Sequence, residues 1–184
     1  LRQDPDVLLI GEIRDGETAD IAVKFSLTGH LVFSTVHAND APGTLTRLLD
    51  IGIAPFLVGS CLNLVMAQRL VRKLCDKCKE EYVPTSEELT LIGLTKKDVK
   101  KKLYKTKGCA YCRSTGYRGR TAIFEMIPMA RELRKLVFDS ANEDEIRQAA
   151  IKNGMVTLRD AGNERVLDGT TSIEEVLRST VEDL

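Results

Sequence analysis

Four bulky apolar residues, Val7-Leu8-Leu9-Ile10, run without a polar interruption and stop at Gly11-Glu12. Such a run reads as a strand buried on both faces, which places it in a parallel sheet with helices on each side. The residues that follow support this. Asp15 is a suitable N-cap, and Glu17 lies in the first turn, where the helix dipole favours a negative charge. Ala19, Ala22, Val23 and Leu27 recur near helical spacing, and Gly29 supplies a left-handed stop. A second apolar run then spans Leu31 to Val36. Strand, helix and strand in this order predict a βαβ unit with a right-handed crossover, and the fold class is α/β.

Two parallel strands therefore end at one sheet edge, the first in Glu12 and the second in His37. Open α/β sheets bind ligands beyond the carboxyl ends of their strands. Glu12, Arg14, Ser34, Thr35, His37, Asn39 and Asp40 are expected to gather there. His30 and His37 are the only histidines, and they bracket the second strand. A histidine at such a strand end donates a hydrogen bond to a phosphate oxygen whether neutral or charged; the plain alternative is a surface or capping residue. The acidic pair of a Walker B strand occupies the same place, one acid holding Mg²⁺ and the next orienting a water on the γ-phosphate. Here Gly11 stands in the first position and only Glu12 remains. Taken alone, the run also suits an ordinary core strand followed by a surface Glu.

Ala41-Pro42-Gly43 reads as a turn that starts a helix, about Thr44 to Asp50, stopped by Gly52. Pro55 opens a longer helix, expected from about Phe56 to Leu74, with Leu57, Val58, Cys61, Leu64, Val65, Leu70 and Val71 on a broad apolar stripe. Cys61 on that stripe reads as a small core residue. Gln68-Arg69 and Arg72-Lys73 would lie in the last turns and complement the dipole, with Arg69 also a candidate phosphate contact.

The composition changes at Cys75. Cys75-x-x-Cys78 and Cys109-x-x-Cys112 enclose thirty residues. Each pair forms a knuckle presenting two thiolates, and two knuckles complete a closed, structural Zn²⁺ site; a catalytic zinc would need an open position. The insert reads as helical, with an N-terminal signature at Thr85-Ser86-Glu87-Glu88 and a second helix from Lys96 to Tyr104 capped by Thr95. Lys96 to Lys107 holds seven lysines in twelve residues, either a solvated helix face or a contact for an anionic partner. Against nucleic acid stand a net charge of zero and the lack of aromatic residues interleaved with the lysines. No apolar run approaches the roughly 18 residues needed to span a bilayer. Beyond Cys112, Ser114 to Arg120 turn into a strand at Thr121 to Pro128. Helices follow at about Arg131 to Phe138, Asp144 to Asn153, Leu158 to Leu167 and Ile173 to Ser179, the last opened by overlapping capping boxes Thr171…Glu174 and Ser172…Glu175. This tail reads as a packing and interaction subdomain.

Joined, these stretches are more specific than any one of them. Leu1-Arg2-Gln3-Asp4-Pro5-Asp6, Gly11-Glu12-Ile13-Arg14-Asp15 and Glu17-Thr18-Ala19 resemble the Walker B region of the secretion ATPase family, which powers bacterial type II secretion and type IV pilus assembly. Thr28 to Ala41 is similar to that family's histidine box. Ala67-Gln68-Arg69-Leu70-Val71-Arg72 with the two cysteine pairs resembles the tetracysteine zinc module of its pilus-extension and secretion branches, which the retraction branch lacks. Thr115 to Arg120 and Leu158 to Gly162 also match.

The resemblance implies the C-terminal portion of a RecA-like P-loop ATPase domain. Its expected segments are an ATPase core at 1–74, a zinc-binding module at 75–112 and a mostly helical subdomain at 113–184. It implies a homo-hexameric ATPase, cytoplasmic and peripheral to the bacterial inner membrane, working with a platform protein and other secretion or pilus-assembly components, and with no specific nucleic acid. ATP and Mg²⁺ would be its cofactors beside structural Zn²⁺. Glu12 would be the catalytic base or water-orienting acid, and Gly11, His37 and Arg69 would line the nucleotide. No G-x-x-x-x-G-K-[ST] occurs in these residues, so the P-loop is expected upstream, in a longer protein, and this stretch alone is expected to be inactive. The rival readings are a zinc-stabilised nucleic-acid-binding module and a DNA-uptake or conjugation motor of the same family.

Overall fold

The computed structural model describes residues 5–99 and 102–180. It divides into two compact units, Leu1–Ala67 with Met126–Met155, and Gln68–Glu125 with Val156–Leu184. Neither is continuous in sequence. The chain leaves the first unit within one strand, β3 (Leu64–Leu74), and returns within another, β6 (Tyr117–Pro128), and these two strands pair.

The first unit opens with the expected βαβ order: β1 (Val7–Ile10), α1 (Gly16–Leu27) and β2 (Leu31–Ser34). β1 and β2 are parallel, with Val7 opposite Leu31 and Ile10 opposite Ser34. Asp15 caps α1 through the Thr18 amide at 2.8 Å. The expected burial of β1 on both faces is not what the described residues show. Leu8 and Ile10 are half-buried, whereas Val7 and Leu9 are 55% and 79% exposed. Neighbouring elements cover one face of this two-stranded sheet, and Ile10, Val32 and Val36 pack there against the core. β2 is also shorter than expected, because Thr35 leaves the ladder: its carbonyl accepts the Ile13 amide at 2.8 Å and its hydroxyl donates to the Gly11 carbonyl at 2.7 Å.

The next helix, α2 (Ala41–Asp50), starts three residues earlier than read. Pro42 suits its first turn, and Asp40 is the cap, accepting the Gly43 amide at 2.8 Å. The expected helix from Phe56 to Leu74 is corrected. α3 (Pro55–Cys61) ends at an extended Leu62, and Leu64 to Leu74 form β3. From Leu64 to Val71, exposed positions at 64, 66, 68 and 70 alternate with more buried ones at 65, 67, 69 and 71. With apolar residues on both faces, the segment matches a helical stripe as well as a strand, and its long-range pairing with β6 decides. Arg69 and Arg72 thus complement no helix dipole. α5 (Arg131–Phe138) and α6 (Glu143–Lys152) close the unit, α5 packing on α3 and α6 on α2. Their core includes Leu45, Val58, Leu133, Val137 and Ile146.

In the second unit, β4 (Glu80–Tyr82), α4 (Ser86–Leu91) and β5 (Leu103–Lys105) form the insert. Thr85 and Glu88 make the expected capping box. The helix expected from Lys96 to Tyr104 is replaced. The Thr95 amide and hydroxyl each reach Asp98 at 2.7 Å, but this makes only a turn, and the chain enters β5; Lys100 and Lys101 lie outside the described residues. β5 runs antiparallel to β4, with Glu81 opposite Tyr104 and Tyr82 opposite the buried Leu103. Lys102 and Lys107 pair with Glu81 and Glu80 at 3.3 and 2.5 Å, so part of the lysine run is neutralised across the hairpin rather than spread over a helix face. α7 (Leu158–Leu167) and α8 (Ile173–Ser179) fall where the sequence places them, and pack with the insert around Leu89, Ile92, Leu103, Val166 and Val176. Of the two capping boxes read before α8, Ser172 is the cap, while the Thr171 hydroxyl bonds the Arg72 carbonyl.

Candidate functional site

The carboxyl ends of β1 and β2 bring Glu12 and His37 together, with His37 Nε2 3.0 Å from Glu12 Oε2. Arg14 Nε approaches the same oxygen at 2.7 Å. Two cross-links fix the backbone beneath: the Ile13 amide to the Thr35 carbonyl, and the Thr35 hydroxyl to the Gly11 carbonyl. Gly11 therefore sits at the strand end with its backbone tied to the neighbouring chain. The side chains above remain open to solvent, Glu12 at 37% and His37 at 80% exposure. The Arg14 guanidinium holds the Glu12 carboxyl below its ordinary range; partial burial opposes this, and His37 adds to the lowering. Glu12 is thus an ionised acceptor at neutral pH, able to orient a water or hold a cation.

The other polar residues expected at this edge divide. Ser34 stays local to the Thr35 carbonyl; His30, at the other end of β2 and outside that group, turns to Thr28 and the Phe25 carbonyl. Asp40 is both the α2 cap and a partner of Arg147 at 2.8 Å, and Arg147 also holds Glu143 at 2.7 Å. That triad ties α6 to the loop bearing His37, a pairing across more than a hundred residues that no local pattern reveals. Arg69 is half-buried on β3, in the second unit.

The second candidate site is the cysteine cluster. The Sγ atoms of Cys75, Cys78, Cys109 and Cys112 all lie within 4.8 Å of one another. Cys112 is 3.8 Å from both Cys78 and Cys109, too far for a disulfide. A metal bound tetrahedrally at about 2.3 Å from each sulfur requires sulfur–sulfur edges of about 3.8 Å, so the donor set fits such an ion. The amides of Cys109 and Gly116 both point at Cys112 Sγ, at 3.2 Å. Burial alone would raise the Cys112 thiol, but these amides and the neighbouring sulfurs bring it to about 6. Cys78 is pushed up to about 12 by burial and by the other thiols. Two glycines make the knuckles possible: Gly108, which sequence reasoning passed over, and Gly116, which it read only as part of the turn into the next strand. Gly108 and Gly116 have φ of 96° and 74°, and a Cβ there would stand 2.7 Å from the Ser114 carbonyl and 2.4 Å from the Thr106 side chain. Their placement, one residue before Cys109 and four after Cys112, was the available signal. Cys61 lies apart, half-buried in the first unit.

The family model described as type II/IV secretion system protein matches residues 1–178. The chain is 49% identical over its full length to the type IV pilus assembly ATPase PilB of Myxococcus xanthus, covering 33% of that protein. It is 49% identical over its full length to type II secretion system protein E of Pseudomonas aeruginosa, covering 36% of it. It is 50% identical to the type II secretion system ATPase E of Vibrio cholerae over 99% of the chain and 36% of that protein. Among solved structures, it resembles the pilus retraction motor PilT, solved with ADP, with a TM-score of 0.65 over 100% of this chain and 42% of that one at 21% identity. It also resembles the ATPase DotB of Legionella pneumophila, with a TM-score of 0.62 over 95% and 38% at 17% identity. The chain thus spans about a third of the length of the curated relatives it matches. On this match, across nearly every residue, the chain belongs to the type II/IV secretion system protein family.

Proposed function

We propose that these residues are part of a hexameric ATPase motor that drives type IV pilus assembly or type II secretion from the cytoplasmic face of the bacterial inner membrane, beside a platform protein. The observation that carries this reading is the Glu12–His37 contact of 3.0 Å at the ends of two parallel strands. In the motor, Glu12 would orient the attacking water. Its carboxylate is held ionised by Arg14, which makes it a weak base but a constant acceptor. Such a group suits a phosphoryl transfer whose transition state needs positioning and charge placement more than early proton removal. Because Arg14 and His37 both engage Oε2, Oε1 is the oxygen assigned to the water. His37 would donate to the γ-phosphate, Gly11 would let the backbone approach it, and Arg69 would contact the nucleotide. No side chain at Gly11 offers a ligand, so Mg²⁺ would be held by phosphates, waters and groups outside these residues, as would the phosphate-binding loop. ATP supplies the phosphoryl group when bound.

Zinc is the ion assigned to the cysteine cluster, in a structural role: four thiolates leave no open position for a substrate. In the full-length protein, Glu12→Gln is expected to lower ATP turnover by roughly 10²–10⁴-fold while ATP affinity is kept, measured by phosphate release beside equilibrium nucleotide binding. Equal turnover in both proteins would remove Glu12 from the chemical step.

A further inference from the structure

We propose that the tips of the two cysteine knuckles form a docking surface for an acidic segment of a protein partner. Tyr111 lies between Cys109 and Cys112, and its ring is 45% exposed. Lys77, between Cys75 and Cys78, places Nζ 4.1 Å from the ring centroid, and Arg118 of β6 places Cζ 3.9 Å from it. Two cations are thus held within about 4 Å of one ring centroid. Arg118 is further fixed by a 2.9 Å hydrogen bond to the Tyr111 carbonyl. Lys73, on the strand that pairs with β6, is a further exposed cation, its stem 3.9 Å from where a side chain on Gly119 would begin.

Six other cations of the same unit are neutralised, and Lys96, Lys97, Arg113 and Arg120 form no ion pair among the described residues; Lys77 and Arg118 differ from all of these in being held over one exposed ring. Lys102, Lys107, Lys79, Arg165, Arg72 and Arg178 each meet a carboxylate. Among the described residues, Lys73, Lys77 and Arg118 form no ion pair. The nearest acid in sequence, Asp76, faces Lys79 at 3.6 Å. The thiolate cluster does not account for them either: its hydrogen bonds to Cys112 come from backbone amides, while Lys77 and Arg118 are turned onto the tyrosine.

The surface is thus a set of positive charges pre-positioned on a rigid knuckle, which lowers the ordering cost of binding an anion. A guanidinium and an ammonium held at one ring suit the carboxylates of an acidic peptide. Nucleic acid fits less well, because the Tyr111 ring already carries two cations and the chain has a net charge of zero and few aromatic residues for bases to stack on. A lipid surface fits less well too, because so few charges hold a membrane only weakly and the knuckle tips offer no large aliphatic side chain to the acyl region.

The test uses the zinc-loaded chain and a short labelled peptide rich in Glu and Asp, titrated near physiological salt and followed by fluorescence anisotropy. Lys77→Glu and Arg118→Glu are each expected to weaken binding by roughly tenfold, with less loss in the neutral Lys77→Gln and Arg118→Gln. Lys96→Glu and Lys97→Glu, at exposed lysines outside the patch, are expected to leave it unchanged. Zinc content and melting temperature establish that each variant is folded. No binding by the parent chain, equal loss in the Lys96 and Lys97 variants, or tighter patch-dependent binding of anionic vesicles or single-stranded DNA would each overturn the proposal.

Discussion

Glu12 and Cys112 are both anions held by N–H donors, but the donors differ in kind. Glu12 is held by the side chains of Arg14 and His37, in solvent; Cys112 is buried and held by the backbone amides of Cys109 and Gly116. Side-chain donors can release or turn when a substrate arrives, whereas amides fixed in a knuckle cannot. The arrangement suits a working carboxylate in one place and a permanent metal ligand in the other. Cys112→Ser is therefore expected to weaken zinc binding by more than about 100-fold, since losing even an outer partner of a ligand costs 10–100-fold. Atomic absorption after dialysis should then fall from one zinc per chain to well below it; full zinc content in the variant would remove Cys112 from the site. The four cysteines were legible because ligand spacing within each knuckle is local. Glu12 and His37 were legible because each ends a strand of a recognisable βαβ unit. Arg14 was legible only as a neighbour, since its hold on Glu12 depends on how the loop turns after Ile10, and Arg69 was misplaced with the strand that carries it.

At the scale of elements, segments with one dominant local signal read correctly. α5, α7 and α8 lie where their stripes and caps predict, and α1 is closed by Thr28 and Gly29 as read. β3 and β5 did not read, because each is made a strand by a partner far along the chain: β6 for β3, and β4 for β5. β3 shows what such pairing supports. The Arg72 amide and guanidinium both reach Glu175 of α8, at 2.9 Å for the amide and 2.6 Å for the closest guanidinium contact, and Arg178 adds a third hold at 2.7 Å. Glu175 is fully buried. Burial alone would raise its pKa, but Arg178 and Arg72 reverse this and bring it from 4.5 to about 2. A carboxylate depressed in the folded state contributes stability above its unfolded pKa and loses it as pH falls through the folded one. The expected loss is at most roughly 3–4 kcal/mol, developing as pH falls below about 5 and complete only at a pH below the folded pKa of about 2. Glu175→Gln should flatten that part of the curve in urea denaturation run from pH 6 downward. An unchanged slope in the variant would show that other groups carry the acid sensitivity.

For the whole molecule, the chain amounts to about a third of its curated relatives, and one sheet face bears on that proportion. Val7, Leu9, Leu31 and Phe33 stand on the same side of β1 and β2, exposed at 55%, 79%, 47% and 55%. A contiguous apolar surface of this kind is uncommon on a free-standing protein and marks a place where something else packs. The uninterrupted run at Val7 to Ile10 carries the same message, since strands written this way are buried on both faces. The sequence therefore described a fuller sheet than the described residues form, and the difference lies in neighbours rather than in the strand. In a protein as long as those relatives, further elements of the same domain are expected to cover this face. Leu9→Ala separates the two situations. In the 184-residue chain, the side chain already faces water, and the substitution is expected to cost less than about 0.5 kcal/mol. In the full-length protein, it would leave a cavity in a closed core and cost about 2–5 kcal/mol. Denaturant titrations of both proteins, each with and without the substitution, measure the two costs side by side. A large cost only in the longer protein places the missing neighbours over β1 and β2. The same small cost in both would mean the face stays open there too, and that a binding partner rather than the motor's own fold has to account for it.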